Sequence, residues 1–113
     1  TGEDTLSLHD ALPIFFHELA TNAAKYGALH ADAGRVVITT RQQGQSVLIN
    51  WTETGGPTVV GVPNRRGFGT QLAEMSIERQ LGGHIEREWR PEGLVLSLTL
   101  PVDRLTRQVA GPA

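Results

Sequence analysis

Two spacings of apolar residues alternate along this chain. In the later part every second residue is apolar: Leu94, Leu96, Leu98 and Leu100 recur with a period of two, the mark of a strand with one buried face. In the segment 46–53, Val47, Ile49 and Trp51 fall on one side and Leu48 and Asn50 on the other. Residues 35–41 are rich in β-branched side chains and read as a third strand. Elsewhere the spacing is helical. Leu72, Met75, Ser76 and Arg79 share one side of the segment 69–81, with Ala73 and Ile77 beside them, and Leu19, Ala20, Ala23 and Ala24 make a small apolar stripe within 13–26.

Glycine and proline punctuate these elements. Pro13 suits a first helical turn, and Gly27 is expected to close the first helix in a left-handed cap. A polar loop at 30–34 leads into the strand at 35–41. The turn Gln42-Gln-Gly-Gln45 joins it to 46–53 as an antiparallel hairpin. The segment 54–66 holds three Gly and two Pro and is a loop. Gly82-Gly83 ends the helix at 69–81. A strand at 84–89, a turn at 90–93 and a strand at 94–100 make a second hairpin, which Pro101 stops, and residues 104–113 read as frayed. Helix, hairpin, loop, helix, hairpin predicts an α/β two-layer sandwich, with helices on one face of a largely antiparallel sheet.

Beside the first apolar stripe runs a polar one. At about 3.6 residues per turn, Glu18, Asn22, Lys25 and Tyr26 stand at i, i+4, i+7 and i+8. Taken singly, Glu18 and Lys25 are ordinary solvated charges and Asn22 an indifferent helix former. As an ordered set, a carboxylate, an amide, an ammonium and a ring suit the floor of a nucleotide and metal site.

Composition narrows the choices. At 113 residues the chain is one ordinary domain, and its 39% hydrophobic content allows a packed core. The absence of cysteine excludes disulfides and thiolate metal sites. No basic stripe points to nucleic acid, and no apolar run approaches the ~20 residues of a membrane span. A cytoplasmic location is the default. The segment Thr5-Leu-Ser-Leu-His-Asp-Ala-Leu-Pro-Ile14 resembles a translated sequencing adaptor, since ACT CTT TCC CTA CAC GAC GCT CTT CCG ATC encodes those ten residues in order. Residues 1–14 are therefore read as an artefactual leader, excluded from functional reasoning together with His9. A native genomic copy encoding the same residues would refute this reading. Without Glu3, Asp4 and Asp10 the formal charge of −2 becomes 10 − 9 = +1, so mild acidity says nothing about partners.

Two loops carry further chemistry. In Trp51-Thr-Glu-Thr-Gly-Gly-Pro57 a carboxylate stands at a strand end, followed by glycines that let backbone approach a ligand. Arg65-Arg-Gly-Phe-Gly-Thr70 opens the second helix, where exposed N–H groups and the helix dipole favour an anion. Arg65 and Arg66 would add charge and Thr70 a hydroxyl. The segment does not complete a dinucleotide fingerprint, because Leu72 stands where a glycine is required, and it is not a P-loop.

Taken in order, the run from His17 to Leu29, the Trp51–Pro57 box and Arg66-Gly-Phe-Gly-Thr70 resemble the ATP-binding domain of HWE-type sensor histidine kinases. The signature residues are His17, Trp51 and Glu53. The resemblance spans about Phe16 to Val102, and the domain is set at 15–102 with a flexible tail at 103–113. It implies a Bergerat-type fold with a mixed, mainly antiparallel sheet, truncated at its N-terminal side. It also implies ATP and Mg²⁺ as cofactors. Asn22 would ligate the metal, with Glu18 as a second candidate ligand and a polarising or base-like group near the γ-phosphate. Lys25 would contact phosphates and Tyr26 would pack near the nucleotide. Glu53 would accept from the adenine amino group, with Gly55 the next glycine of that box. Pro57 departs from the wider superfamily, which has a glycine there. Arg66, Gly67, Phe68, Gly69 and Thr70 would frame the phosphates. The implied activity is transfer of the γ-phosphoryl group to a histidine on a separate dimerising helix upstream, in a bacterial two-component system with a response regulator and a homodimeric parent. None of His9, His17, His30 or His84 matches that acceptor, and one or two edge strands are expected to be missing with the helix. The other readings are an anti-sigma-type serine kinase, against which Trp51 and Glu53 argue, and a non-catalytic nucleotide-binding fragment.

Overall fold

The computed structural model describes residues 8–59 and 68–104. The elements are α1 (Leu8–Lys25), a 3-10 turn (Ala28–His30), β1 (Arg35–Gln43), β2 (Ser46–Thr54), α2 (Phe68–Gln80), β3 (His84–Arg90) and β4 (Gly93–Pro101). The strands form one antiparallel sheet in the order β1-β2-β4-β3. The two helices pack against each other and cover one face of it, the two-layer sandwich that the periodicities predict.

The alternation in β4 points inward. Leu94, Leu96, Leu98 and Leu100 are all buried beneath the helices. Leu96 stands opposite Trp51 of β2 and Arg87 of β3, and Leu98 opposite Ile49 and Ile85. From above, α1 contributes Ala11, Phe15, Leu19 and Ala23, spaced one turn apart, and α2 contributes Ala73 and Ile77, with Leu81 just past its end. Ala20 and Ala24 are exposed, so the apolar stripe of α1 is narrower than expected and extends further back.

That backward extension moves the start of α1 from Pro13 to Leu8. Pro13 removes a single backbone donor near the helix start and its exposed ring costs no packing. In return Ala11 is fully buried and Leu12 and Ile14 pack against the core. The helix thus runs unbroken through the boundary between residues 14 and 15. Its other end also differs from expectation. Gly27 has φ −108, not a left-handed value. The left-handed glycine after a helix is Gly82, φ +67, while Gly83 donates its N–H to the Ile77 carbonyl at 2.9 Å.

A charge on the inward face of β3 escaped the sequence reading. Arg87 lies between Ile85 and Trp89 on the helix side, and Glu74 of α2 answers it with two hydrogen bonds of 3.2 and 2.5 Å. Breaking the pair from one side strands the other charge. Arg87→Ala is expected to destabilise the domain by about 3 kcal/mol in urea unfolding, while Arg87→Met combined with Glu74→Leu loses less. On the solvent side, Arg90 grips the exposed Glu88; its hydrogen bonds hold Glu88 below and Arg90 above their ordinary values. Among the described residues no helix is long and apolar enough to cross a membrane. The frayed-tail reading falls on residues 105–113, outside the described residues. Arg104, by contrast, donates to the Gln80 carbonyl at 2.7 Å.

Candidate functional site

The polar stripe of α1 lies between the core and solvent. Glu18 and Asn22 are half-buried, and Lys25 and Tyr26 are exposed. The Asn22 carbonyl accepts from the N–H groups of Tyr26 at 2.8 Å and Gly27 at 3.1 Å, anchoring its main chain where the helix ends. Thr70, in the first turn of α2, is buried and donates its hydroxyl to Glu18 Oε1 at 2.9 Å, across 52 positions of sequence. The start of α2 and the polar stripe are thereby tied together.

At the far end of β2 the alternation that turns Ile49 and Trp51 toward the core also turns Glu53 inward. Its residue exposure is only 5%. Trp51 Nε1 donates to Glu53 Oε2 at 2.8 Å, and the Ala28 N–H donates to Oε1 at 3.2 Å. The Trp51 ring lies 6.4 Å from that of Phe16, and Phe16 meets Phe15 edge-on at 5.4 Å. A core aromatic row of α1 thus backs the carboxylate.

Glycines permit this closeness. A Cβ on Gly27 would stand 2.4 Å from Glu53 Oε1, which explains why a residue with negative φ is nevertheless glycine. Gly55 has φ +80, and a Cβ there would lie 2.5 Å from the Ala33 carbonyl oxygen. Gly34 and Gly56 press on Ala28 in the same manner, at 1.5 and 2.5 Å for an added Cβ. A Cβ on Gly93 of β4 would collide with the Glu53 carbonyl oxygen. Beyond the glycines an open cleft of about 400 Å³ runs between Thr54–Thr58 and Pro91-Glu92.

The structure therefore joins Glu18 to Thr70 and Trp51 to Glu53, and sets Gly55 against the Ala33-Gly34 main chain. His17, the remaining signature residue, is exposed on α1. Arg65, Arg66 and Gly67 lie outside the described residues, and Phe68 and Gly69 form the start of α2. Sequence reasoning missed Gly27, the Ala28 N–H, Gly34 and Gly93. For Glu53 a signal existed, since two steps beyond Trp51 on an alternating strand is again the inward face. Among the described residues no cluster of three or more His, Cys, Asp or Glu could cage a metal. The Asn22 amide and the Glu18 carboxylate, one turn apart on α1, would be oxygen ligands of the kind that Mg²⁺ accepts.

No protein-family model matches the chain. Individual proteins do. Blue-light-activated histidine kinase 1 of Erythrobacter litoralis is 47% identical over 94 residues, which cover 81% of this chain and 26% of that protein. The blue-light-activated histidine kinase of Rhizobium johnstonii is 39% identical over 92 residues, 80% of this chain and 26% of that protein. The chain spans about a quarter of the length of these curated relatives. Among solved structures, the histidine kinase domain of the Erythrobacter litoralis EL346 blue-light activated kinase superposes with a TM-score of 0.66 at 14% identity, covering 83% of this chain and 47% of that one. The catalytic domain of histidine kinase ThkA gives 0.64 at 20%, covering 88% and 72%. The fold is that of a histidine kinase catalytic domain. By its sequence relatives the chain belongs to the histidine kinase family.

Proposed function

We propose that this chain binds Mg-ATP and acts as the catalytic part of a two-component sensor kinase, passing the γ-phosphoryl group to a histidine on a dimerisation helix of its parent. The Thr70–Glu18 hydrogen bond carries the reading, because it brings the asparagine-bearing stripe and the second glycine box to one place. Phosphoryl transfer consists mainly of positioning and charge neutralisation, so a site of this kind needs few groups.

In this reading Asn22 and Glu18 hold the metal side, Lys25 draws in phosphate oxygens, and Tyr26 flanks the nucleotide. Glu53 accepts from the base, beside Gly55. Bound Mg²⁺ supplies neutralisation of the phosphate charge. The acceptor imidazole nitrogen forms the N–P bond as the bond from the γ-phosphorus to its bridging oxygen breaks, releasing ADP. Glu18, already oriented by Thr70, takes the imidazole proton. Arg66, Gly67, Phe68, Gly69 and Thr70 would frame the phosphates. The parent would be a cytoplasm-facing homodimer serving a response regulator, with no role for nucleic acid.

The test supplies the parent's acceptor helix in trans with Mg-ATP and assays acid-labile phosphohistidine. Label is expected on the helix with this chain and none with Glu18→Gln. ATP binding without transfer would favour a nucleotide-binding module instead.

A further inference from the structure

Glu53 is a buried carboxylate of an unusual kind. Glu74, buried on α2, is answered by a guanidinium. Among the described residues, Glu53 receives only two neutral donors, the indole N–H of Trp51 and the main-chain N–H of Ala28, one on each oxygen. An ionised carboxylate offers about four acceptor positions, so each oxygen keeps one. The bare Cα of Gly27 closes the third side, and Gly93 fits against the Glu53 main chain.

We infer that Trp51, with the Gly27–Ala28 main chain, is a seat that sets the Glu53 carboxylate and thereby the preference of the site for adenine over guanine. Trp51 is a positioning residue: it acts through Glu53. The inference rests on the proposal that Glu53 meets the base. A fixed carboxylate favours the exocyclic amino group of adenine, which donates, and repels the carbonyl oxygen that guanine carries at the same place. A carboxylate free to swing loses that discrimination while the phosphate side stays intact.

Three variants approach the seat from different directions. Trp51→Phe keeps a ring beside Phe16 and deletes the N–H. Gly27→Ala introduces a Cβ that crowds Oε1 first, then the Ala23 main chain at 3.1 Å and the Glu53 carboxyl carbon at 3.4 Å, and leaves the indole N–H in place. Glu53→Ala removes the acceptor itself. Calorimetry with Mg-ATP, Mg-GTP and Mg-tripolyphosphate reads the base and phosphate contributions separately, and thermal melting monitors folding. All three variants are expected to lose about tenfold in ATP affinity and to keep tripolyphosphate binding within about twofold. The ATP-to-GTP ratio should fall in each. Gly27→Ala added to Glu53→Ala should cost nothing more, because both act on one contact.

A folded Trp51→Phe and Gly27→Ala with the wild-type ATP-to-GTP ratio, against a lowered ratio in Glu53→Ala, overturns the seat and leaves the Glu53 assignment standing. Equal loss of ATP and tripolyphosphate in Glu53→Ala, or no loss, overturns the base contact and the seat with it. If Trp51→Phe does not fold, Gly27→Ala alone and in the double variant decides.

Discussion

Asn22→Ala should abolish Mg-ATP binding at ordinary concentrations, a loss of at least about a hundredfold, or about 2.7 kcal/mol. The main chain of Asn22 is pinned by two hydrogen bonds from the residues after it, so the substitution removes a side chain without releasing the helix end. An amide oxygen is a neutral, hard ligand that Mg²⁺ accepts alongside its waters. Asn22→Asp is a second probe, since it retains the oxygen but adds a charge among phosphates, and it should also weaken binding strongly. Calorimetry with and without Mg²⁺ separates the causes. Unchanged affinity for Mg-ATP in Asn22→Ala would refute the metal assignment.

Phe15→Ala is expected to remove about 3–5 kcal/mol of stability, a large part of the roughly 5–15 kcal/mol that holds a domain of this class folded. Phe15 is fully buried and meets Phe16, which in turn lies beside Trp51. The cavity would open at the root of the row that backs Glu53. Urea unfolding followed by tryptophan fluorescence should show a large fall in midpoint. A change under about 1 kcal/mol would mean that α1 is not seated on the sheet through Phe15.

The parts legible in the sequence were those that repeat locally. The leucines of β4 announce their strand and their buried face without help from the rest of the chain. The hairpins follow from Gly44 and from Pro91-Glu92-Gly93, and Gly82-Gly83 stops α2. Contacts between distant segments were not legible. Nothing near Thr70 says that its hydroxyl meets Glu18, and nothing near Arg87 says that Glu74 answers it, because both depend on how α2 lies over its neighbours. Gly27 shows the difference most directly. Its place after a helix suggested a backbone role, whereas its smallness serves a carboxylate 26 residues further on, Glu53. Pro13 by its missing donor points to a helix start there, whereas the burial of Ala11 carries α1 back to Leu8.

The contacts of Gly34 and Gly56 with Ala28 of the 3-10 turn, and of Gly55 with Ala33 and Gly34, are made main chain to main chain. No rotamer change can relieve an added methyl there, and no neighbouring side chain can be trimmed to make room. A randomised library meant to redirect this site to another nucleotide would therefore waste most of its members if it varied those three codons. Its useful diversity lies at positions 51 and 53, where side chains meet side chains and a loss on one can be repaired on the other.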